Sequence, residues 1–483
     1  MGDLAEKKAM LRINQIADPG SFVEIGGLVC ARSTDFNIKN FDTASDGVVT
    51  GYCTVNGSPV YIFSQDSTVL GGTIGEMHSK KICNLYDMAI KTAAPVVGLL
   101  DCAGLRLQEA TDALNAFGKI YAKQSEASGV VPQIMAVFGN CGGGLSVIPA
   151  MADFTFMEDN AKLFVNSPNT LLGNKEDKNP TWSAKFQSEV AGNAHFIGNE
   201  ASICANIKGL IDILPNNNQY DLSDNVCADD LNRTCDAIAN AVEDAALALR
   251  TLSDSNIYVE VRENYAPEMV TAFIKLNGAT VGAVANRTKK YNDKAEVECE
   301  FAPYLTTKGA KKAADFVKFC DAFNIPVLTL TNAEGFSAEV CEEGTLAAAV
   351  AGMIDAFTSA TVAKVNVITG KAFGTAYIAM NSKAVGADLT FAWDNSKIGT
   401  MEPKDAVMIM YADEIKNAED KNAFIAEKTA EYTENQSSAM SAAKRGYVDA
   451  VINAADTRKH VVAAFEMLYS KSEDNFYKKH GTI

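Results

Sequence analysis

An internal duplication constrains the fold of this 483-residue chain more than any other feature of its sequence. The stretch ADFTFMEDNAKL, which begins at Ala152, returns as ADLTFAWDNSKI from Ala387. Upstream, APVVGLLDCAGLRL and IPVLTLTNAEGFSA align Pro95 with Pro326, and VTGYCTVNGSPV matches VTAFIKLNGATV. These matches occur in the same order at nearly the same spacing, which indicates a repeated domain rather than chance similarity. The chain therefore contains two copies of one domain.

Each copy alternates apolar strands with amphipathic helices. An Asn-Gly turn joins two apolar runs, and a helix follows, KKICNLYDMAIKT in the first copy and AADFVKFCDAF in the second. Strands that alternate with helices of this length predict right-handed crossovers and a mainly parallel sheet with helices outside. We therefore expect an α/β fold with one domain over residues 1–250 and a second over residues 256–483.

A glycine cluster, AVFGNCGGGL, lies between an apolar strand and a helix in the first copy. Its counterpart reads TGKAFGTAYIAM, so that Gly139 pairs with Gly370 and Gly143 with Gly374. Glycine lets a backbone approach a ligand closely, and successive N–H groups in a strand-to-helix turn bind anions. Two such loops predict two anion sites, whereas a tight turn without a ligand is the structural alternative.

Composition and motifs exclude several classes of function. The net charge is −17, and scattered Lys and Arg residues argue against nucleic acid as the main ligand. The apolar stretches are too short to cross a bilayer and MGDLAEKKAM lacks the apolar core of a signal peptide, so we expect a cytoplasmic protein. No cysteine or histidine pair has metal-ligand spacing, so no metal is expected. Nucleotide hydrolysis and hydride transfer lack their glycine-rich signatures.

The first loop also contains a G-x-C-x-G pattern around Cys141, which is typical of a nucleophile elbow. A cysteine nucleophile needs a histidine base that a carboxylate orients. No His-x-Glu pattern occurs in the chain. We therefore interpret Cys141 as a packing residue, and His78 and His195 as structural hydrogen-bonding residues.

Blocks in both halves resemble the biotin-dependent acyl-CoA carboxyltransferase family, which includes the β subunit of propionyl-CoA carboxylase and the α subunits of glutaconyl-CoA and methylmalonyl-CoA decarboxylases. The blocks are GGTIGEMHSKKI, DCAGLRLQEA, ASGVVPQIMAVFGNCGGG, FCDAFNIPV and GKAFGTAYIAM. The resemblance implies a tandem duplication of two crotonase-like (ClpP/crotonase) domains. It also implies that the N-terminal domain holds the acyl-CoA and the C-terminal domain holds biotin.

The resemblance further implies carboxyl transfer between carboxybiotin and the α-carbon of a short acyl-CoA of the propionyl or methylmalonyl type, in the carboxylating or the decarboxylating direction. Such chemistry needs preorganised donors for the developing enolates. By motif position, the N–H groups of Gly143 and Gly144 would hold the thioester enolate. Those of Thr375 and Ala376 would hold the ureido oxygen of biotin.

Residues that flank the two loops are assigned to binding by the same resemblance. Cations beside the first loop would meet the phosphates of coenzyme A, and residues of the second loop would contact biotin or the acyl end of the pocket. The first group is Arg106, Lys80 and Lys81, and the second is Phe373, Gly374 and Ile378.

The chain departs from the family pattern at three places. Thr375 replaces a glycine, and its β-branched side chain limits how closely biotin approaches. Ile378 replaces an aspartate of propionyl-type members, which leaves the acyl specificity open. The family's TGPxVIKxVTGE is replaced by VNSPNTLLGNKED from Val165, which changes the substrate-side wall.

The expected partners follow from the same resemblance. The chain contains no Met-Lys-Met biotinylation site, so biotin would arrive on a separate biotin carboxyl carrier protein. The resemblance implies a homo-oligomer, from dimer to hexamer, and association with a biotin carboxylase or with a membrane decarboxylase subunit, which would bring the chain to the membrane. Two alternatives are a biotin-independent crotonase-type acyl-CoA hydratase or isomerase and a non-catalytic relative that acts as a scaffold.

Overall fold

The computed structural model describes residues 8–34, 43, 45–173, 178–219, 227, 229–292 and 294–473. The chain divides into two compact units, residues 1–220 and 221–483. The junction expected between residues 250 and 256 thus falls inside the second unit. The physical reason is the helix Ala245–Leu252, which packs Ala245, Ala248, Leu249 and Leu252 into the core of that unit.

The first unit contains nine strands and five α-helices among its described residues. The strands are β1 (Val23–Ile25), β2 (Val48–Val55), β3 (Ser58–Gln65), β4 (Val96–Leu100), β5 (Gln133–Val137), β6 (Asn140–Gly142), β7 (Phe154–Glu158), β8 (Lys162–Phe164) and β9 (Phe196–Gly198). The helices are α1 (Lys8–Ile16), α2 (Glu76–Thr92), α3 (Ala110–Ala127), α4 (Val147–Ala150) and α5 (Glu200–Ile213). The main sheet has the order β1-β2-β3-β4-β5-β7-β9, parallel from β3 to β9, and β6 pairs with β8.

The second unit repeats this plan with additional elements. Its strands are β10 (Tyr258–Glu260), β11 (Met269–Leu276), β12 (Ala279–Asn286), β13 (Lys289–Tyr291), β14 (Val297–Glu300), β15 (Tyr304–Leu305), β16 (Val327–Ala333), β17 (Gly335–Phe336), β18 (Lys364–Phe373), β19 (Leu389–Trp393), β20 (Lys397–Gly399) and β21 (Ala450–Ile452). Its helices are α6 (Ala245–Leu252), α7 (Thr307–Ala322), α8 (Val340–Glu343), α9 (Leu346–Ser359), α10 (Gly374–Ala379), α11 (Pro403–Met410), α12 (Ala412–Asn417), α13 (Lys421–Tyr432), α14 (Ala439–Lys444) and α15 (Thr457–Met467). The main sheet has the order β10-β11-β12-β16-β18-β19-β21, and β20 pairs with β18.

The two sheets share their pairing register as well as their strand order. Tyr61 lies opposite Val96 where β3 meets β4, and Gly282 lies opposite Val327 where β12 meets β16. These are the positions that the sequence repeat aligns. Because a slip of one residue turns every side chain to the other face of a sheet, both copies bury the same faces. The predicted α/β duplication is therefore confirmed.

The hairpin at the start of each sheet has the same turn. Asn56 and Gly57 have φ values of 50° and 82°, and Asn277 and Gly278 have φ values of 51° and 75°. Positive φ at both central residues is the type I′ turn that Asn-Gly favours between antiparallel strands. The Asn-Gly dipeptide thus sets the register between the two antiparallel strands of each hairpin. The parallel strands of the sheet are added to the second of these strands.

The central strands β4 and β5 are buried along their whole length, as expected for parallel strands covered on both faces. Helices α2 and α3 supply part of the apolar core on this sheet. Among the described residues, no helix has the length and apolar character that crossing a membrane requires.

Candidate functional site

The first glycine loop lies where a parallel strand leads into a helix. After β6, a 3-10 turn from Gly143 to Ser146 continues directly into α4. Gly143 has a φ of 62°, a region that residues with a side chain rarely adopt. The first N–H groups of a helix have no partner within it, and Gly144 is exposed. The turn can therefore donate the N–H groups of Gly143 and Gly144 to a ligand.

The second loop reproduces this geometry. Gly374 opens α10 with the same φ of 62°, and Thr375 is exposed as Gly144 is. The repeat pairs Gly144 with Thr375. Each of these two residues is a predicted donor in its own loop. The N–H groups of Gly374, Thr375 and Ala376 stand at the start of α10, where the helix offers them no acceptor.

A polar side chain from the neighbouring segment lies against the start of each loop. A Cβ at Gly139 would collide with the carboxylate of Asp101, and a Cβ at Gly370 would lie 2.5 Å from Oδ1 of Asn332. The same Oδ1 accepts a hydrogen bond of 3.0 Å from the N–H of Lys371. Only glycine allows this close approach, which explains why both positions carry one.

A phenylalanine pairs with a glycine beside each loop, although it belongs to opposite strands in the two units. In the first unit Gly142 lies opposite Phe164, and a Cβ at Gly142 would be 2.5 Å from that ring. In the second unit Phe373 lies opposite Gly399. The Phe373 ring is only 1% exposed. The assignment of the Phe373 side chain to biotin binding is therefore corrected, because that side chain is buried inside the unit.

Lys81 also serves the fold rather than a ligand. Its ammonium donates to the carbonyl oxygen of Ser45 over 3.0 Å, to the Ser45 hydroxyl and to the carbonyl of Val48. Lys312, at the repeat position in α7, donates to two carbonyls of the turn 262–266, each over 2.8 Å. Burial lowers the pKa of Lys312 to about 7. The expectation that Lys81 meets a phosphate is corrected, because its ammonium lies inside the unit.

Arg106 is likewise enclosed, with 1% of its surface exposed. Its Nη1 lies 2.5 Å from Oδ1 of Asp46 and 2.9 Å from Oε1 of Glu109, and its Nη2 donates to the carbonyl of Thr73 over 2.6 Å. Burial raises the pKa of Asp46 to about 6, against the opposing effect of the Arg106 charge. Arg106 therefore neutralises buried carboxylates, which corrects its assignment to a phosphate. Lys80 is exposed on α2.

The segment predicted to form the substrate-side wall borders a cavity of about 120 Å³ that Ser146 of the first loop's turn also lines. Ser146, Phe164, Val165 and Gln187 are among the residues that line it. The departing segment begins at this cavity, and its residues 174–177 lie outside the described part of the chain. In the second unit, Ile378 is half-buried against an apolar cluster. Its side chain therefore belongs partly to the core.

The thiol of Cys141 and the imidazole of His78 are not poised for catalysis. Burial raises the pKa of Cys141 well above its usual value and lowers the pKa of His78 to about 3. Nδ1 of His78 donates to the carbonyl of Asp46 over 2.9 Å, and Nδ1 of His195 accepts the N–H of Thr155 over 3.0 Å. Both histidines are structural, as expected. No cluster of metal-ligating side chains occurs among the residues for which positions are described.

Two hydroxyl groups that sequence reasoning missed contact the first loop. Ser146 donates to the carbonyl of Gly143 over 2.7 Å, and Tyr121 donates to the carbonyl of Gly144 over 2.6 Å. The bond of Ser146 joins residues three apart in the chain, which is a common local pattern for serine. It could therefore have been predicted from the sequence. The tyrosine lies in α3, so only the tertiary fold brings it to the loop.

Comparisons with known proteins identify the family of the chain. The family profile described as the carboxyl transferase domain matches residues 5–483. The methylmalonyl-CoA decarboxylase subunit alpha of Propionigenium modestum is 40% identical over 98% of this chain and 92% of the relative. The propionyl-CoA carboxylase beta chain of Roseobacter denitrificans is 38% identical over the same shares, 98% and 92%.

A solved structure has the same fold. The crystal structure of transcarboxylase 12S, a hexamer with methylmalonyl-coenzyme A and methylmalonic acid bound, matches with a TM-score of 0.89 and 34% identity. The match covers 98% of this chain and 91% of that one. The expected tandem of crotonase-like domains is thereby confirmed.

Proposed function

The chain belongs to the carboxyl transferase family, and from that premise we propose that it is the carboxyltransferase subunit that moves a carboxyl group between carboxybiotin and the α-carbon of a short acyl-CoA. The observation that carries the proposal is the repeated loop. Gly143 and Gly374 share a φ of 62°, and each opens a helix at the end of an equivalent parallel strand. One protein with two such donor sites suits a reaction in which two oxygens gain charge.

In this proposal the first loop binds the acyl thioester. The N–H groups of Gly143 and Gly144 donate to the thioester oxygen as negative charge develops on it. Donors that are already oriented need no reorganisation during the reaction, and removal of one such donor slows well-studied enzymes by about 10² to 10³. Neither Cys141 nor His78 is available as acid or base, since burial holds both in their neutral forms.

The second loop binds biotin, which a separate carrier protein brings. Biotin supplies the ureido nitrogen to which the transferred carboxyl group is attached. The N–H groups of Thr375 and Ala376 donate to the ureido oxygen. The residues fit this role, because Gly374 has its left-handed conformation and Thr375 is exposed. The N–H of Thr375 is therefore retained at the surface of the loop despite the side chain that replaces glycine.

The substrate class is proposed from the relatives. Those named above are a methylmalonyl-CoA decarboxylase subunit and a propionyl-CoA carboxylase chain, and the solved relative holds methylmalonyl-coenzyme A. We propose a thioester of the propionyl or methylmalonyl type. Partner chains set the direction of transfer, a biotin carboxylase for carboxylation and a membrane subunit for decarboxylation. The proposed location is the cytoplasm, with a homo-oligomer of up to six subunits.

The proposal is tested with purified protein, free biotin and methylmalonyl-CoA. We expect biotin-dependent formation of propionyl-CoA. Thr375→Pro removes one proposed donor, at a helical turn where proline is tolerated because that N–H has no helical partner. We expect this variant to lose about 10² to 10³ in rate.

Thr375→Ala is the matched control, because it removes the same side chain and keeps the N–H. Circular dichroism and thermal unfolding establish that both variants fold. An inactive wild-type protein contradicts the proposal, and so do equal rates for the proline and alanine variants. Hydration of an enoyl-CoA without biotin would favour the crotonase-type hydratase instead.

A further inference from the structure

We propose that Ser146 and Tyr121 are positioning residues whose hydroxyl groups hold the first loop in its donating orientation. The inference rests on the proposed function of that loop. Ser146 donates to the carbonyl of Gly143 and Tyr121 to the carbonyl of Gly144, over 2.7 and 2.6 Å. These carbonyls belong to the two peptide groups on either side of the Gly144 Cα.

Fixing a carbonyl also fixes the N–H on the same peptide group. In a planar trans peptide, the C=O of one residue and the N–H of the next point in opposite directions. The bond from Ser146 to the Gly143 carbonyl therefore sets the direction of the Gly144 N–H. The bond from Tyr121 sets the next peptide group, which bears the N–H of Leu145. The N–H of Gly144, a proposed donor to the thioester oxygen, is thus held from both sides.

The loop needs such support because of its sequence. Gly142, Gly143 and Gly144 are consecutive, and glycine has more accessible backbone conformations than any other residue. A flipped peptide would turn a carbonyl oxygen towards the substrate oxygen and repel it. Two hydroxyl bonds to successive carbonyls oppose that flip.

The two hydroxyls come from rigid surroundings. Ser146 is 7% exposed, and Tyr121 lies in α3 with its ring 6.1 Å from that of Phe117 in the apolar core. Desolvation raises the pKa of Tyr121, so its phenol keeps the proton that it donates. The loop therefore takes its orientation from the packed helix behind it.

The second loop is built differently at the same position. The repeat places Tyr377 where the first copy has Ser146, and the Tyr377 side chain is buried in an apolar cluster. Removal of the Ser146 hydroxyl should therefore affect the acyl-CoA step without altering the biotin loop. This asymmetry gives the inference a specific kinetic signature.

The test compares Ser146→Ala, Tyr121→Phe and the double variant with the wild-type protein. Each substitution removes one hydroxyl and little volume. We expect kcat for biotin-dependent decarboxylation of methylmalonyl-CoA to fall about tenfold in each single variant and further in the double variant. The KM for free biotin should stay unchanged. Ser146→Thr keeps a hydroxyl and should recover most of the lost kcat.

Ser79→Ala is the matched control. Ser79 is also buried in the first unit, and its hydroxyl donates to the carbonyl of Ala116 over 2.8 Å. This variant loses an equivalent hydrogen bond away from the loop. We expect its kcat to match that of the wild-type protein.

Amide hydrogen exchange of the peptide spanning residues 140–147 provides a second measurement that does not depend on activity. Exchange should accelerate in Ser146→Ala and Tyr121→Phe, and not in Ser79→Ala. Unchanged exchange overturns the inference, as does an unchanged kcat in the double variant. If the wild-type protein lacks biotin-dependent activity, the proposed function fails, while exchange still decides whether the hydroxyls hold the loop.

Discussion

Gly143 and Gly374 have the same φ of 62° although they belong to different copies of the repeat. Each is the first residue of a helical turn that follows a parallel strand. A residue with a Cβ pays about 1 to 2 kcal/mol for a left-handed conformation. The backbone geometry of the two loops therefore depends on glycine at these positions.

The first prediction concerns this conformation. Gly143→Ala and Gly374→Ala should each lower the free energy of unfolding by about 1 to 2 kcal/mol. The reason at Gly143 is strain alone, since no atom lies within 4 Å of the added Cβ. Urea denaturation measures the effect. Gly209→Ala, within α5 and equally free of neighbours, should instead stabilise by up to about 1 kcal/mol, and equal effects at Gly143 and Gly209 would contradict the argument.

The second prediction concerns the departure at position 375. Thr375→Gly removes a β-branched side chain from the proposed biotin loop, so the KM for free biotin should fall. The KM for methylmalonyl-CoA should not change, because the acyl-CoA is assigned to the other loop. Steady-state kinetics with each substrate varied in turn measures both values. A change confined to the acyl-CoA would show that the two loops have been assigned in the wrong order.

The third prediction separates two adjacent lysines. Lys81→Met leaves buried carbonyl groups without their donor and should lower the free energy of unfolding by about 2 to 4 kcal/mol. Lys312→Met, at the repeat position, should do the same for the same reason. Lys80→Gln should change stability by less than about 0.5 kcal/mol. Thermal and urea unfolding of the three variants provide the measurement.

Kinetics of the Lys80 variant complete that comparison. Lys80 is the exposed member of the predicted cationic group. If it meets a phosphate of coenzyme A, Lys80→Gln should raise the KM for the acyl-CoA several-fold and reduce the sensitivity of that KM to salt. An unaltered KM would remove Lys80 from the site.

The fourth prediction concerns pH. The pKa of His78 is lowered to about 3 in the folded protein, whereas an exposed histidine has a pKa of about 6.5. Between about pH 3 and pH 6.5 the unfolded chain therefore binds a proton at His78 that the folded protein does not bind. The contribution of neutral His78 to the free energy of unfolding is complete above about pH 6.5 and is lost as the pH falls towards 3. The slope is at most about 1.4 kcal/mol per pH unit.

The difference in unfolding free energy between wild type and His78→Gln isolates this effect, because glutamine does not titrate. The difference should shrink as the pH falls from 7 to 5. Asp46 has the opposite effect on the free energy of unfolding. Its pKa is raised to about 6, so its contribution to stability falls as the pH rises towards 6. Asp46 is present in both proteins, so the subtraction removes most of this effect. Parallel curves for the two proteins would show that His78 is not buried as described.

Much of the fold follows from local patterns in the sequence. The Asn-Gly turns, the apolar strands and the spacing of the repeat predicted two copies of one α/β domain and paired Gly143 with Gly374, which share their backbone conformation. The individual binding residues were harder to predict, because the charge of a side chain does not reveal whether it is buried. The cations of Lys81 and Arg106 bond to carbonyls and carboxylates inside the unit.

The sequence by itself determined the α/β duplication and the two glycine loops, because glycine, Asn-Gly turns and alternating apolar segments act on the backbone over a few residues. Only the tertiary structure decided what surrounds each loop. The Tyr121 hydroxyl on the Gly144 carbonyl and the Asp101 carboxylate against Gly139 join residues far apart in the chain. Such contacts form when helices pack on the sheet, since packing brings together side chains that no local pattern relates.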